Sequence, residues 1–227
     1  MKERLKQIVK KSPSLTKFFR IITSGKKIKN IIPTKIIKGT KNVFNIDKSA
    51  LLFNCTFDIV GNNNEIVIME SCYLNNTKFY IRGNDNLIIL HDDVKYNGTL
   101  WTTCNKSCIE IGKGTTTEHN VNMQIAEDNM KIEVGNDCMF SSNISIWTQD
   151  WHKIYDEKMQ RINNAKNVKI KNHVWIGYDS KILKGVTIGN NNIIGTDTVV
   201  TKSFEEENVV IAGNPSKIVK RGIIWNR

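Results

Sequence analysis

The sequence predicts an all-β fold, a parallel solenoid of triangular coils, and three observations carry that expectation. The first is a strict period. Ile170, Ile176, Ile182, Ile188, Ile194 and Val200 fall every six residues, and Gly177, Gly189 and Gly195 follow three of them. A helix repeats every 3.6 residues and a plain strand every 2. A row at steps of six fits short strands joined by corners, each strand turning one aliphatic side chain inward. Three such strands close one coil, and stacked coils bury a continuous aliphatic column. A second row (Val174, Ser180, Val186, Asn192, Thr198) keeps the same step, and Val134, Phe140 and Ile146 show it earlier. The second observation is an internal repeat. FDIVGNNNEIVI at 57–68 returns as FYIRGNDNLIIL at 79–90, with Phe57/Phe79, Ile59/Ile81, Gly61/Gly83, Asn62/Asn84, Asn64/Asn86 and Ile66/Ile88 matched at an offset of 22. The third is composition. Ile occurs 33 times and Asn 28 times in 227 residues. Ile suits packed strands, and Asn tolerates the left-handed backbone of tight corners.

The N-terminal segment 1–41 is set apart by charge. It holds 13 Lys or Arg against one acid, Glu3, so it carries +12 of a net +11, and the remaining residues sum to −1. Leu5, Ile8 and Val9, then Leu15, Phe18, Phe19 and Ile22, recur at helical spacing around Pro13. The segment is expected to be a basic, mostly helical extension. It suits a hairpin packed on the domain end, or a helix on an anionic membrane surface. The charge would also attract an anionic polysaccharide. No nucleic-acid-binding motif accompanies it.

The body, 42–203, is the expected solenoid. Within it, 147–167 breaks the six-residue step and is expected to protrude as a loop. Residues 204–227 are expected to cap the end coil. At 40% hydrophobic and 24% charged, the chain can bury a core and is not compositionally disordered. No run approaches the ~20 apolar residues of a membrane-spanning helix. The N-terminus lacks the apolar core of a signal peptide, so a cytoplasmic location is expected. The five Cys are odd in number and lack the paired CxxC spacing of zinc sites, which predicts reduced, buried thiols and no metal.

The run VKIKNHVWIGYDSKILKGVTIGNNNIIGTDTVVTK, followed by VVIAGNPSKIVKR, resembles the hexapeptide-repeat acyltransferases. The clear resemblance covers 130–222. It implies a left-handed parallel β-helix, acetyl-CoA as acyl donor, and a homotrimer with active sites between adjacent β-helices. Acetyl transfer to a hydroxyl needs a base for the acceptor proton and donors for the developing oxyanion, and His is the usual base near neutral pH. His152 lies in the interrupting loop, 23 residues before Trp175, which corresponds to the family's catalytic His. Asp150, His152, Ile154 and Asp156 fit the D-x-H-x-I-x-D pattern of the sialic acid and capsule O-acetyltransferase branch. Either Asp could orient the ring, or cap the loop. Trp175 resembles the family Trp that lines the acyl and acceptor site, with an outer-face strand aromatic as the alternative. Trp147 and Trp151 flank His152 and could stack on a sugar ring or pack. His119 is the alternative base; His91 and His173 read as satisfied corner residues. The resemblance places coenzyme A along Tyr178, Thr196, Thr201, Lys202, Lys217 and Lys220. Asp197 departs from the family's small residues there. The isolated His do not suit a β-helix carbonic anhydrase, and no Cys with a nearby base suggests an acyl-enzyme.

The expected activity is O-acetylation of a cell-surface saccharide: a capsule repeat, lipooligosaccharide or sialic acid residue. N-acetylation of a nucleotide-linked amino sugar, or a non-enzymatic β-helix adaptor at a membrane surface, are the alternatives.

Overall fold

The computed structural model describes residues 33–227, which form strands, corners and one long loop, with no helix among them. The helical expectation for the basic extension therefore lies outside the described residues, except at its end. There the structure shifts the boundary. Thr34–Lys38 is already a strand, paired in parallel with Thr56–Val60. All five of its residues are exposed, and among the described residues it pairs on one side only. The alternation that marks buried strands is therefore missing from its sequence.

Every named strand pairing among the described residues is parallel except the closing hairpin of Val209–Ala212 with Lys217–Arg221. The 22-residue repeat is one coil: Phe57 lies beside Phe79, Ile59 beside Ile81 and Ile66 beside Ile88. Towards the C-terminus the coil shortens to 18 residues, with Lys169 beside Thr187, Trp175 beside Ile193 and Lys181 beside Val199. Three faces recur there. The first stacks Lys131–Val134, Val168–Ile170 and Thr187–Ile188. The second stacks Met139–Phe140, Trp175–Ile176 and Ile193–Ile194. The third stacks Ser145–Trp147, Lys181–Ile182 and Val199–Val200. The solenoid continues past 203. Phe204 bridges to Ile188, and Val209–Ala212 adds a rung on Ile193–Ile194.

The inward column is dry. Ile170, Ile176, Ile182, Ile188, Ile194 and Val200 are at most 1% exposed, and each such burial is worth roughly 1.5–3 kcal/mol. Phe57 and Phe79 stack in it at 4.7 Å. The asparagines have two jobs. Some occupy left-handed corners: Asn63, Asn143 and Asn191 have φ near 60°. Others form ladders along the solenoid axis. Asn62 Oδ1 accepts the Thr40 amide, Asn84 Oδ1 that of Asn62, and Asn105 Oδ1 that of Asn84. A buried ladder runs Asn42–Asn64–Asn86–Ser107. At Gly83 (φ 140°) an added Cβ would fall 2.1 Å from the Cys104 carbonyl oxygen, so only glycine lets these corners stack. All five Cys are free, and burial pushes the thiols of Cys55, Cys72 and Cys138 up to about 11.

Candidate active site

The loop expected at 147–167 leaves the third face after Trp147 and rejoins the first face at Val168. It protrudes from the corner between these faces, where Gly185 donates its amide to the Asn167 carbonyl and Ser203 Oγ donates to that of Gly185. The register explains its length. Strands flanking it pair at an offset of 36 (Met139 with Trp175, Ser145 with Lys181), one 18-residue coil plus the insertion.

Three braces hold the loop. Asn163, 7% exposed, accepts the Ile154 amide on Oδ1 (2.7 Å) and donates through Nδ2 to the His152 carbonyl (2.7 Å) and to Asp150 Oδ2 (3.1 Å). Lys184, from the following coil, ion-pairs with Asp150 and donates to the Asn163 carbonyl at 3.0 Å. Arg161 forms a two-pronged ion pair with Glu127, with Nη1 to Oε2 at 2.7 Å. Partial burial works against charge on Asp150, but the hydrogen bonds from Lys184 and Asn163 outweigh it and hold its pKa below the ordinary value. Arg161 does the same for Glu127. Carboxylates with depressed folded pKa values stabilise above their unfolded pKa and lose that contribution as pH falls through the folded one. The loop is therefore expected to open below about pH 4 before the coils do. Hydrogen exchange at 150–163, compared with that of Lys181–Ile182, checks this.

His152 itself is exposed. Its amide donates to the Asp150 carbonyl (2.7 Å) and its carbonyl accepts from Asn163, so the backbone is fixed. Its ring makes no hydrogen bond to any described residue. Of the two roles the sequence left open for Asp150 and Asp156, neither orients the imidazole and both serve the loop. The Asp150 carboxylate is taken by Lys184 and Asn163. Asp156 Oδ1 accepts the amides of Lys158 (2.9 Å) and Gln160 (2.8 Å), capping the loop's tip. The D-x-H-x-I-x-D pattern is, in this chain, a loop-building pattern around a free ring. Replacing Asn163 by Ala removes three loop hydrogen bonds at once. It should lower kcat/KM about tenfold or more while the thermal midpoint of the coils barely moves, as paired kinetics and calorimetry would read.

The expected cofactor residues are all exposed and lie on two corners and the closing hairpin of the C-terminal coils. Tyr178 and Thr196 stack at the corner between the second and third faces, where the Asp197 amide donates to the Tyr178 carbonyl. Asp197 is there because that corner is left-handed (φ 55°). Tyr178 Oη accepts from Asn143 at 2.9 Å. Thr201 and Lys202 lie one face further on, at the corner of Lys184 and the loop, with the Lys202 ammonium 5.5 Å over Phe204. Lys217 and Lys220 belong to the closing hairpin. The physical reason is the six-residue step itself: residues 18 apart share a corner, whereas residues five or six apart do not. Trp175 is half-buried on the second face, off the loop's corner. Trp225 tilts against it at 6.1 Å and stacks on His173 at 4.0 Å. The tail continues to Arg227, which donates to Asp137, Thr116 and the Gly114 and Cys138 carbonyls. Instead of closing over the last coil, the terminal residues run back along the side.

The remaining histidines are partnered: His91 with Glu110 (2.9 Å), His119 with Asn97 (3.1 Å) and His173 with Asn191 (3.2 Å). Sequence reasoning missed Asn163, Lys184, Arg161 and Glu127. The Asn163 side chain bonds to loop residues 9 to 13 positions away, and the Lys184 and Arg161–Glu127 partners lie 21 to 34 residues apart, beyond any local pattern.

Comparison with known proteins places these features. The family model described as bacterial transferase hexapeptide (six repeats) matches residues 167–202. A polysialic acid O-acetyltransferase of Neisseria meningitidis is 39% identical over 191 residues, covering 84% of this chain and 88% of that protein. One of Escherichia coli O1:K1 / APEC is 33% identical over 134 residues, 59% of this chain, and the match spans only 42% of that longer relative. The crystal structure of the polysialic acid O-acetyltransferase OatWY superimposes with a TM-score of 0.78 at 37% identity, covering 86% of this chain and 92% of that one. With that identity over most of both chains, the chain belongs to the hexapeptide-repeat acyltransferase family.

Proposed function

We propose that this acyltransferase uses acetyl-CoA to O-acetylate a hydroxyl of a cell-surface saccharide, a sialic-acid-bearing or capsule-type polymer, with His152 as general base. The observation that carries the reading is the His152 loop: an exposed, uncommitted imidazole on a backbone clamped from both neighbouring coils. Such a ring is free to accept an acceptor proton, while its position costs no reorganisation.

Bound acetyl-CoA supplies the acetyl group as an activated thioester. The C-terminal coils fit it by donor chemistry: the ammonium groups of Lys202, Lys217 and Lys220 suit phosphates, and the hydroxyls of Tyr178, Thr196 and Thr201 suit an amide-rich arm. The His152 imidazole takes the hydroxyl proton on a ring nitrogen as the acceptor oxygen bonds to the acetyl carbon. It returns that proton to the departing thiolate. No residue is acylated. Because Tyr178 and Thr196 lie on a different corner from His152, one chain does not enclose the site. A homotrimer, in which the loop corner of one chain meets the Tyr178 corner of the next, closes it. The +12 of segment 1–41 would raise the local concentration of an anionic polymer.

An acceptor panel tests the reaction class. Acetyl-CoA is supplied with sialic acid polymers and capsule fragments in one arm and nucleotide-linked amino sugars in the other. The expected product is a base-labile acetyl ester on the saccharide. A base-stable amide on the amino sugar alone would replace this reading with N-acetylation.

A further inference from the structure

Trp151, the residue before His152, is built differently from the other aromatic residues of the loop region. Trp147 is half-buried, and its Nε1 is fully enclosed without a partner. Trp151 is 48% exposed and sits at φ 65°. A bulky side chain adopts that left-handed backbone rarely, and such positions cluster where surrounding structure imposes them for function. Here the imposing structure is visible. The Trp151 ring leans on Trp101 at 4.9 Å, tilted by 58°. Trp101 is stacked almost flat on Tyr80, at 5.8 Å and 4°. The guanidinium of Arg82 covers the other face of Tyr80 at 4.0 Å and is itself held by Asp58. Tyr80 and Trp101 are in-register neighbours on adjacent coils, and Trp101 is followed by Gln124 and then Trp147 on the same outer row. Trp151 therefore reaches back over Gln124 towards the N-terminal coils.

The stacking matters for what each ring can offer. Tyr80 and Trp101 face one another, so each has a face turned along the solenoid axis and covered. Trp151, tilted out of the stack, leaves a face open beside the general base. A pyranose ring presents a C–H face that is apolar and slightly positive, and an indole face is apolar and carries the negative lobe of the quadrupole. An aromatic platform of this kind binds a sugar while leaving its hydroxyls free to react.

We propose that Trp151 is the acceptor-binding platform, with Trp101 as the positioning residue behind it. The saccharide then lies on the N-terminal side of His152, over the outer face that carries Tyr80 and Trp101. The C-terminal side, from Lys184 onward, is left to the acyl donor. The loop's braces have the same division: Trp101 and Glu127 hold it from the N-terminal side, Lys184 from the C-terminal side. The occupant is a saccharide because the platform adjoins the residue proposed to deprotonate its hydroxyl, and the inference rests on that reading.

The test is saccharide binding without acetyl-CoA, read by calorimetry, followed by steady-state kinetics with the saccharide that the wild-type protein acetylates. Trp151→Ala should weaken saccharide binding and raise its KM roughly tenfold, with KM for acetyl-CoA unchanged. Trp151→Phe should restore most of the affinity. Trp101→Ala should give a smaller loss with the same pattern, because it frees Trp151 without removing it. Saccharide affinity unchanged in Trp151→Ala would overturn the assignment while leaving the reaction intact. So would dissociation of the oligomer in that variant at unchanged affinity, which would make the ring a contact between chains. A wild-type protein that binds and acetylates no saccharide would remove the functional reading and this inference with it.

Discussion

Replacement of His152 by alanine is expected to lower turnover by ~10²–10⁴-fold, the range that loss of a general base produces. The protein should stay folded. The side chain is exposed, and the hydrogen bonds at this position belong to its backbone, so the loop's braces survive the substitution. KM for acetyl-CoA should hardly move, because the lost group acts on the acceptor proton. The check is kcat with each substrate varied in turn, beside a thermal melt. The asparagine variant His152→Asn, which keeps a polar side chain but cannot take up a proton at neutral pH, should be as slow as the alanine variant. If Asn restored activity, the ring would be a hydrogen-bonding element and the base would have to lie elsewhere. His119, on the corner of Tyr178, would be next to examine.

The largest expected effect on stability lies far from the loop, at Asn86. It is 1% exposed, and its side chain makes four ladder bonds. Nδ2 donates to Asn64 Oδ1 (3.0 Å) and the Cys104 carbonyl (2.8 Å), while Oδ1 accepts the Ser107 amide (3.0 Å) and hydroxyl (2.6 Å). Asn86→Leu is close in size but leaves the Cys104 carbonyl and the Ser107 amide of the following coil without this partner and takes one bond from Asn64 of the preceding coil. Each such group costs about 1–3 kcal/mol, so a loss of about 3 kcal/mol or more is expected. For a chain of this size that is a drop of roughly 6–12 °C in thermal midpoint. Asn62→Ala, in the exposed ladder along the same corner, should fall within about 1 kcal/mol. Calorimetry on the two variants separates the buried ladder from the solvated one.

The solenoid was legible because its period is covalent. Each coil repeats one residue environment, so the inward position recurs at a fixed step, and the 57–68/79–90 echo is one coil lying on the next. The protruding loop was legible for the same reason, as the one place in the C-terminal half where the step fails. The place of His152 in that loop was legible with it; its role as base is the proposal made above. Three things were not. The first strand was hidden by its exposure, since none of the five residues of Thr34–Lys38 is buried and no apolar alternation marks it. The roles of Asp150 and Asp156 were hidden because a carboxylate two residues from a histidine can bond either to the ring or to loop amides, and spacing does not decide. Lys184 and the Arg161–Glu127 pair were hidden because they act across coils, at separations set by coil length and the insertion together, and Asn163 because it bonds to the opposite limb of the loop. For the residues placed along coenzyme A by resemblance, the coil adds which share a corner: Tyr178 lies with Thr196, while Thr201 and Lys202 lie one face further on.

The proposed reaction turns on an imidazole of this loop driving acetyl transfer to a saccharide hydroxyl. The most direct test is free-thiol release from acetyl-CoA, followed in time with a panel of sialic acid polymers and capsule fragments, for the wild-type protein and His152→Ala side by side. Release should depend on a saccharide of this class and fall by ~10²–10⁴-fold in the variant. Release that proceeds equally without any saccharide, or at the same rate in His152→Ala, would contradict it.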